Sequence, residues 1–296
     1  MLGQLKISAI GEPLDKVEIA IKRLKAFCPQ EGYWVAFSGG KDSQCIYHLC
    51  KMAGVKFDAH YNVTSVDPPE LIRFIRKNYP DVKWEYPRYT DGSVCTMWNL
   101  IPQKSMPPTR VARYCCEHFK ESSGEGRVTV TGVRWAESAS RAVNQGVAVL
   151  MGKPKKTEKT AQEMGAEYKI NKSGNIILND DNDQARRMVE HCYRTQKTLV
   201  NPIVDWEDED VWEFLNVNKI EHCCLYDQGS KRIGCIGCPL SSQTQKAELE
   251  RYPAYRKNYV KAFDRMIKNR LQNGLQTDWK TGEEVMSWWL GEGGKE

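Results

Sequence analysis

Tyr33-Trp34-Val35-Ala36-Phe37-Ser38-Gly39-Gly40-Lys41-Asp42-Ser43 is the stretch whose reading decides the fold. An apolar run passes directly into a serine and two glycines, which reads as a buried strand meeting a tight turn. Positions 42–53 then carry helical periodicity at Cys45, Ile46, Leu49 and Met52 and stop at Gly54, a good C-terminal cap. Cys45 and Cys50 fall in that apolar pattern and read as packing residues. A second strand follows over Phe57–Val63. Strand, turn, helix and strand within about 30 residues make a βαβ unit, which implies a parallel sheet and a right-handed crossover.

The alternation continues on both sides. Helices are predicted over 14–27, 69–79, 109–120 and 208–217, an extended stretch over 81–86, and a clear strand over 127–133. Residues 142–185 change character, with a Lys-rich stretch (152–160) and a small hairpin (168–178), and read as an insertion. The fold class is α/β, a parallel twisted sheet flanked by helices, with a Cys-containing C-terminal region.

The 296 residues are 41% hydrophobic and 27% charged, the balance of a soluble globular protein able to bury a sizeable core. No apolar run is long enough to cross a bilayer. Met1–Glu12 lacks the basic start, apolar stretch and cleavage site of a secretory signal, so a cytoplasmic protein is expected. The formal charge of +5 says little by itself. Its distribution says more: Arg251, Arg256, Lys257, Lys261, Arg265 and Lys268 interleave with Tyr252, Tyr255, Tyr259 and Phe263. Such a stripe could grip phosphates and stack bases, but it reads first as a helix with an aromatic core face and a solvated basic face.

The glycine turn has a chemical use. Glycines allow positive φ and close approach of backbone to an anion. Successive N–H groups, reinforced by the positive end of the following helix, then point into one concavity. Lys41 adds a cation, Ser38 and Ser43 add hydroxyls, and Asp42 caps the helix or helps to hold Mg²⁺. The four-residue spacing of a Walker P-loop is absent. Farther on, Arg134 and Arg141 lie just beyond a strand end, where open α/β sheets bind ligands, and guanidinium forks suit phosphate or sulfate oxygens. A salt bridge to Glu137 is the alternative use of either arginine.

The chain has 11 cysteines. Without a secretory signal a disulfide framework is not expected, which leaves metal or sulfur chemistry. Cys235-x-x-Cys238 has the spacing of a metal-type pair. Zinc and a reduced, unmetallated pair are the rival readings to an iron–sulfur centre.

Ser38-Gly39-Gly40-Lys41-Asp42-Ser43 resembles the signature of the PP-loop ATP pyrophosphatases, whose fold also includes the phosphoadenylylsulfate (PAPS) reductases. Three further segments are similar to the PAPS reductase family. They are Cys115-Cys116 with Lys120, Thr131-Gly132-Val133-Arg134-Trp135-Ala136-Glu137-Ser138 with Arg141, and the run from Asn201-Pro202-Ile203-Val204-Asp205-Trp206 to Ile233-Gly234-Cys235-Ile236-Gly237-Cys238. The resemblance implies a nucleotide domain over 1–240 and a helical C-terminal extension over 241–296. It implies that Ser38, Gly39, Gly40, Lys41, Asp42, Ser43 and Arg134 bind nucleotide, with Lys41, Asp42, Arg134 and Arg141 in the chemistry. Asp67-Pro68-Pro69-Glu70 resembles a nucleotide- or substrate-facing segment, and the backbone of 62–64 borders the adenine.

The tandem cysteines with Cys-x-x-Cys resemble the [4Fe–4S] ligand set of assimilatory adenylylsulfate reductases. Cys116, Cys235 and Cys238 are the implied ligands, and Cys115 and Cys192 compete for the fourth position. Cys223-Cys224 are weaker candidates.

Two departures separate this sequence from a reductase. No cysteine follows Cys238, and the tail 290–296 offers no nucleophile. The turn, moreover, keeps the full ATP-pyrophosphatase form. An ATP-using enzyme of sulfur incorporation or adenylation is therefore expected, binding ATP and Mg²⁺, with a nucleic-acid acceptor or a sulfur-donor protein as partner and a homodimer left open. A reductase using Cys95, Cys223 or Cys224, and a non-catalytic nucleotide- and cluster-binding module of a modification complex, are the alternatives.

Overall fold

The apolar run Tyr33–Ala36 forms strand β1, with Tyr33 and Val35 fully buried. The computed structural model describes residues 15–121, 123–152, 154–194 and 197–292. Met1–Glu12 and the last four residues of the tail, about which the sequence raised expectations, lie outside them.

The remaining strands are β2 (Phe57–Asn62), β3 (Lys83–Glu85), β4 (Val128–Val130), β5 (Ala148–Met151), β6 (Lys169–Ile170), β7 (Ile176–Leu178) and β8 (Lys197–Val200). They form one eight-stranded sheet in the order β3-β2-β1-β4-β8-β5-β7-β6. β1 runs parallel to β2 and β4, and β4 runs parallel to β8. This is the expected α/β architecture. Beyond β8 the sheet changes sense, because β5 is antiparallel to both β8 and β7, and β7 to β6.

That antiparallel half comes from the segment read as an insertion. The hairpin is present as β6–β7, but Ala148–Leu150 and Ile176–Leu178 are buried sheet strands. Apolar runs of three or four residues are too short for periodicity to identify.

The helices are α1 (Lys16–Ala26), α2 (Lys41–Ala53), α3 (Pro69–Asn78), α4 (Met97–Lys104), α5 (Tyr114–Cys116), α6 (Ala139–Asn144), α7 (Pro154–Glu163), α8 (Asp183–Cys192), α9 (Asp208–Val217), α10 (Gln245–Arg251), α11 (Pro253–Gln272) and α12 (Gly282–Trp289). Asp15 caps α1 by accepting from the N–H groups of Val17 and Glu18. The predicted helix over 109–120 is shorter: Thr109 to Arg113 turn through a Thr109 N–H bond to the Ala112 carbonyl, and α5 passes into a π-turn over Glu117–Glu121. Among the described residues no helix is long and apolar enough to cross a membrane.

The chain divides into two compact units, one comprising the residues up to 61, 74–83 and 124–224, the other 62–73, 84–123 and 225 onward. The second unit has its own core, in which Val66, Leu100, Ile101, Phe119, Ile236, Tyr259, Phe263, Met266 and Trp289 are buried. Tyr259 donates to the Ile236 carbonyl at 3.0 Å and Tyr255 to that of Asp67 at 3.1 Å. Tyr259 and Phe263 of α11 therefore pack inward, while Tyr252 and Tyr255 are half-buried. Lys257, Lys261, Arg265 and Lys268 line its exposed side.

In the first unit, charge also ties the parallel strands together. Arg127, just ahead of β4, grips Asp58 of β2 at 2.8 and 2.7 Å and donates to the carbonyls of Gly32 and Tyr33 at 3.0 and 2.9 Å. Trp34 stacks on His60, with ring centroids 3.3 Å apart, and His60 bonds Asp58. The Arg127 fork holds the Asp58 carboxyl well below the usual carboxylate range. A depressed carboxyl stabilises the fold above its unfolded pKa, and that stability is lost as pH falls through the lowered folded value. Arg127→Ala should therefore lower the unfolding free energy by about 1–3 kcal/mol at neutral pH. Urea melts should show the gap to wild type narrowing once pH drops below about 4.

Candidate active site

The site begins where β1 ends. Gly39 sits at φ +74°, in the left-handed region that favours glycine, and Gly40 is the N-cap residue of α2. As glycine, the cap residue has no side chain of its own to close the helix start, and its N–H donates to Ser38 Oγ at 3.4 Å. The serines brace the turn: Ser43 Oγ donates to the Gly40 carbonyl at 2.8 Å and Ser38 Oγ lies 3.2 Å from Ser43 Oγ.

Two cations meet at this turn. Lys41 is 4% exposed and Arg134 is 2% exposed. Arg134 follows β4, and its Nε donates to Asp42 at 2.6 Å while Nη1 donates to the Trp206 carbonyl at 3.2 Å. Gly132 permits this approach, since a Cβ there would stand 3.0 Å from the backbone and Cβ of Asp42. Lys41 Nζ lies 3.3 Å from Asp42 and donates to Asp208 Oδ1 at 2.9 Å. The same Asp208 oxygen accepts from Arg134 Nη2 at 2.6 Å. The Lys41 bond holds the Asp208 carboxyl below its ordinary value, with Arg134 adding to the effect.

The Asn201–Trp206 segment forms the wall behind Arg134. Asn201 is buried, bonds Thr131 and donates to the Gly146 carbonyl at 2.8 Å. Asp205 takes a bidentate grip from Arg23 of α1 at 2.8 and 3.0 Å, and Trp135 N–H donates to the Val204 carbonyl at 2.7 Å. These bonds fix the start of α9 against the turn.

Thus the structure brings Ser38, Gly39, Gly40, Lys41, Asp42, Ser43 and Arg134 together. Arg141 pairs with Glu137, whose carboxylate also accepts the Arg134 backbone N–H at 3.1 Å. Asp208 is the residue that sequence reasoning missed. An acidic residue in the first turn of a helix reads as an ordinary complement to the helix dipole, and nothing local points from it to residues 41 and 134.

The cysteines fall in both units. Cys192 ends α8 in the first unit, and burial raises its thiol pKa. Cys115, Cys116, Cys235 and Cys238 belong to the second unit, where the other three all raise Cys115. Cys115 donates to Cys116, which lowers the Cys116 thiol, and Arg113 and Lys120 favour its thiolate. Lys120 Nζ donates to Cys235 Sγ at 3.4 Å. Among the described residues no three His, Cys, Asp or Glu side chains stand in a ready metal-holding arrangement. In the same unit Asp67 folds back on Thr64, accepting from its hydroxyl at 2.7 Å.

A family model described as phosphoadenosine phosphosulfate reductase domain matches residues 32–241. An uncharacterized protein of Methanocaldococcus jannaschii is 24% identical over 270 residues, covering 86% of this chain and 54% of that protein. The chain therefore spans about half the length of that relative. Adenosine 5′-phosphosulfate reductase of Neisseria meningitidis serogroup A is 45% identical over 38 residues, 13% of this chain and 16% of that protein. Among solved structures, phosphoadenylyl-sulfate reductase from Candida auris has a TM-score of 0.41 at 13% identity, covering 79% of this chain and 98% of that one. Candida glabrata FMN adenylyltransferase with ATP has a TM-score of 0.41 at 14% identity, covering 74% and 60%.

Arg134→Met should destabilise the first unit by about 3 kcal/mol, the low end for breaking a buried ion pair, because Asp208 can turn to solvent. A urea melt checks this.

Proposed function

The chain belongs to the phosphoadenosine phosphosulfate reductase domain family, and from that membership we propose that it binds ATP on the 38–43 turn and cleaves it to AMP and pyrophosphate in a sulfur-incorporation or adenylation reaction. One observation carries the reading: two buried cations, Lys41 and Arg134, converge on a glycine turn at the N-terminal end of α2.

In this reading the turn's amides and Lys41 hold the β- and γ-phosphate oxygens. Arg134 faces the α-phosphate, where charge builds as an acceptor attacks. The new bond forms at the α-phosphorus, the bond to the bridging oxygen breaks, and pyrophosphate departs with the acceptor's proton released to solvent, leaving an adenylylated acceptor. In sulfur incorporation, sulfide-level sulfur from the donor then forms a bond to the acceptor and displaces AMP. Arg141, steadied by Glu137, orients that acceptor. Mg²⁺ would offset the charge on the departing pyrophosphate, and Asp42 is the cradle carboxylate suited to hold it. Nucleic acid and a sulfur-donor protein are the proposed partner classes.

Four of the second unit's thiols, Cys115, Cys116, Cys235 and Cys238, match a [4Fe–4S] cluster in donor type and number. Lys120 and Arg113 supply positive charge beside them. A bound cluster would supply iron at which sulfur can be held or passed on, and zinc would suit the same donors.

A second reading, a sulfonucleotide reductase releasing sulfite, is favoured by the 38-residue match to adenosine 5′-phosphosulfate reductase.

Anaerobically purified protein should contain about four iron and four sulfide per chain, and Cys235→Ser should lower both. With ATP and candidate acceptors it should release pyrophosphate. Release of sulfite from labelled adenylylsulfate, with no turnover of ATP, would decide for the second reading. Lys41→Ala should weaken ATP binding by about 1–3 kcal/mol in calorimetry, and unchanged affinity would move the nucleotide elsewhere.

A further inference from the structure

We infer that the Asp208 carboxylate occupies the place of a ligand anion in the cradle, so that polyphosphate binding is an exchange of one anion for another. The inference rests on the nucleotide-binding reading above and adds which group holds the two cations before nucleotide arrives.

The charges set the requirement. The Lys41 side chain is 6% exposed and that of Arg134 is 2% exposed. A buried cation without a partner is strongly unfavourable. Asp42 meets both of them, with Arg134 Nε at 2.6 Å and Lys41 Nζ at 3.3 Å. Asp208 adds a negative charge to the pair, through a single oxygen that accepts from Lys41 at 2.9 Å and from Arg134 at 2.6 Å. An anionic oxygen shared by an ammonium and a guanidinium is the contact a phosphate oxygen makes with the same groups.

Exposure sets the direction of approach. The Asp208 side chain is 64% exposed although both of its partners are buried. The carboxylate therefore stands on the solvent side of the cations, the side from which a ligand arrives. Because Lys41 holds its pKa down, it is an ionised competitor throughout the neutral range.

The carboxylate can leave without dismantling its surroundings. The start of α9 is closed by Glu207 and Asp210, the Glu207 N–H donating to Asp210 Oδ2 at 2.7 Å. Asp210 is itself tied to Lys16 of α1. Arg134 keeps Asp42 and the Trp206 carbonyl. A rotation of the Asp208 side chain toward water thus opens both cations while the helix and the arginine stay in place.

Calorimetric titration of the full chain with ATP and with inorganic pyrophosphate, both in EDTA, tests the inference. Asp208→Asn keeps the shape of the side chain and removes its charge. It should bind both probes roughly tenfold more tightly than wild type, the change expected on removing one charge-assisted competitor. Asp208→Glu should restore the weaker binding. A residue with only a structural role would not tighten binding when replaced, and thermal melts of the two variants would confirm that both are folded. Equal or weaker binding by Asp208→Asn, with wild type binding normally, overturns the exchange and leaves the nucleotide reading intact. Failure of wild type to bind either probe overturns both.

Discussion

Arg134, buried and stretched between Asp42 and Asp208, is the contact on which the candidate site depends. Its guanidinium joins the first turn of α2, the first turn of α9 and the Trp206 carbonyl. A buried guanidinium must spend its donors on good acceptors, so the three elements are held to one geometry. Lys41 completes a group of two cations and two carboxylates.

The remainder of the first unit reads as support for that contact. The parallel order β2-β1-β4-β8 brings the ends of β1, β4 and β8 side by side, and the chain leaves each of them into a site segment: the glycine turn, Arg134 and the Asn201–Trp206 wall. Arg23 and Lys16 of α1 anchor that wall through Asp205 and Asp210. Arg127 does a similar job lower in the sheet, fastening β2 to β1 through Asp58. In the second unit a separate aromatic core, centred on Tyr259, Phe263 and Trp289, supports the segments that carry the four thiols.

Local chemistry was legible wherever consecutive residues make a feature. The turn 38–43 is one such case, since its strand, glycines and helix start occupy a single stretch. The two-faced nature of α11 is another, because 3.6-residue periodicity sorts tyrosines from lysines. The fit of residues 142–185 into the sheet was not legible, because β5 and β7 are short apolar runs whose partner strands lie elsewhere in the chain.

The sequence by itself determined the βαβ start, the anion-receptive turn and the kinds of side chain available for phosphate and metal chemistry, because these depend on backbone freedom and on spacing within a few residues. Only the tertiary structure decided which charges meet. Asp208 stands 167 residues from Lys41 and 74 from Arg134, and a Coulomb pair is set by distance in space, which no local pattern records.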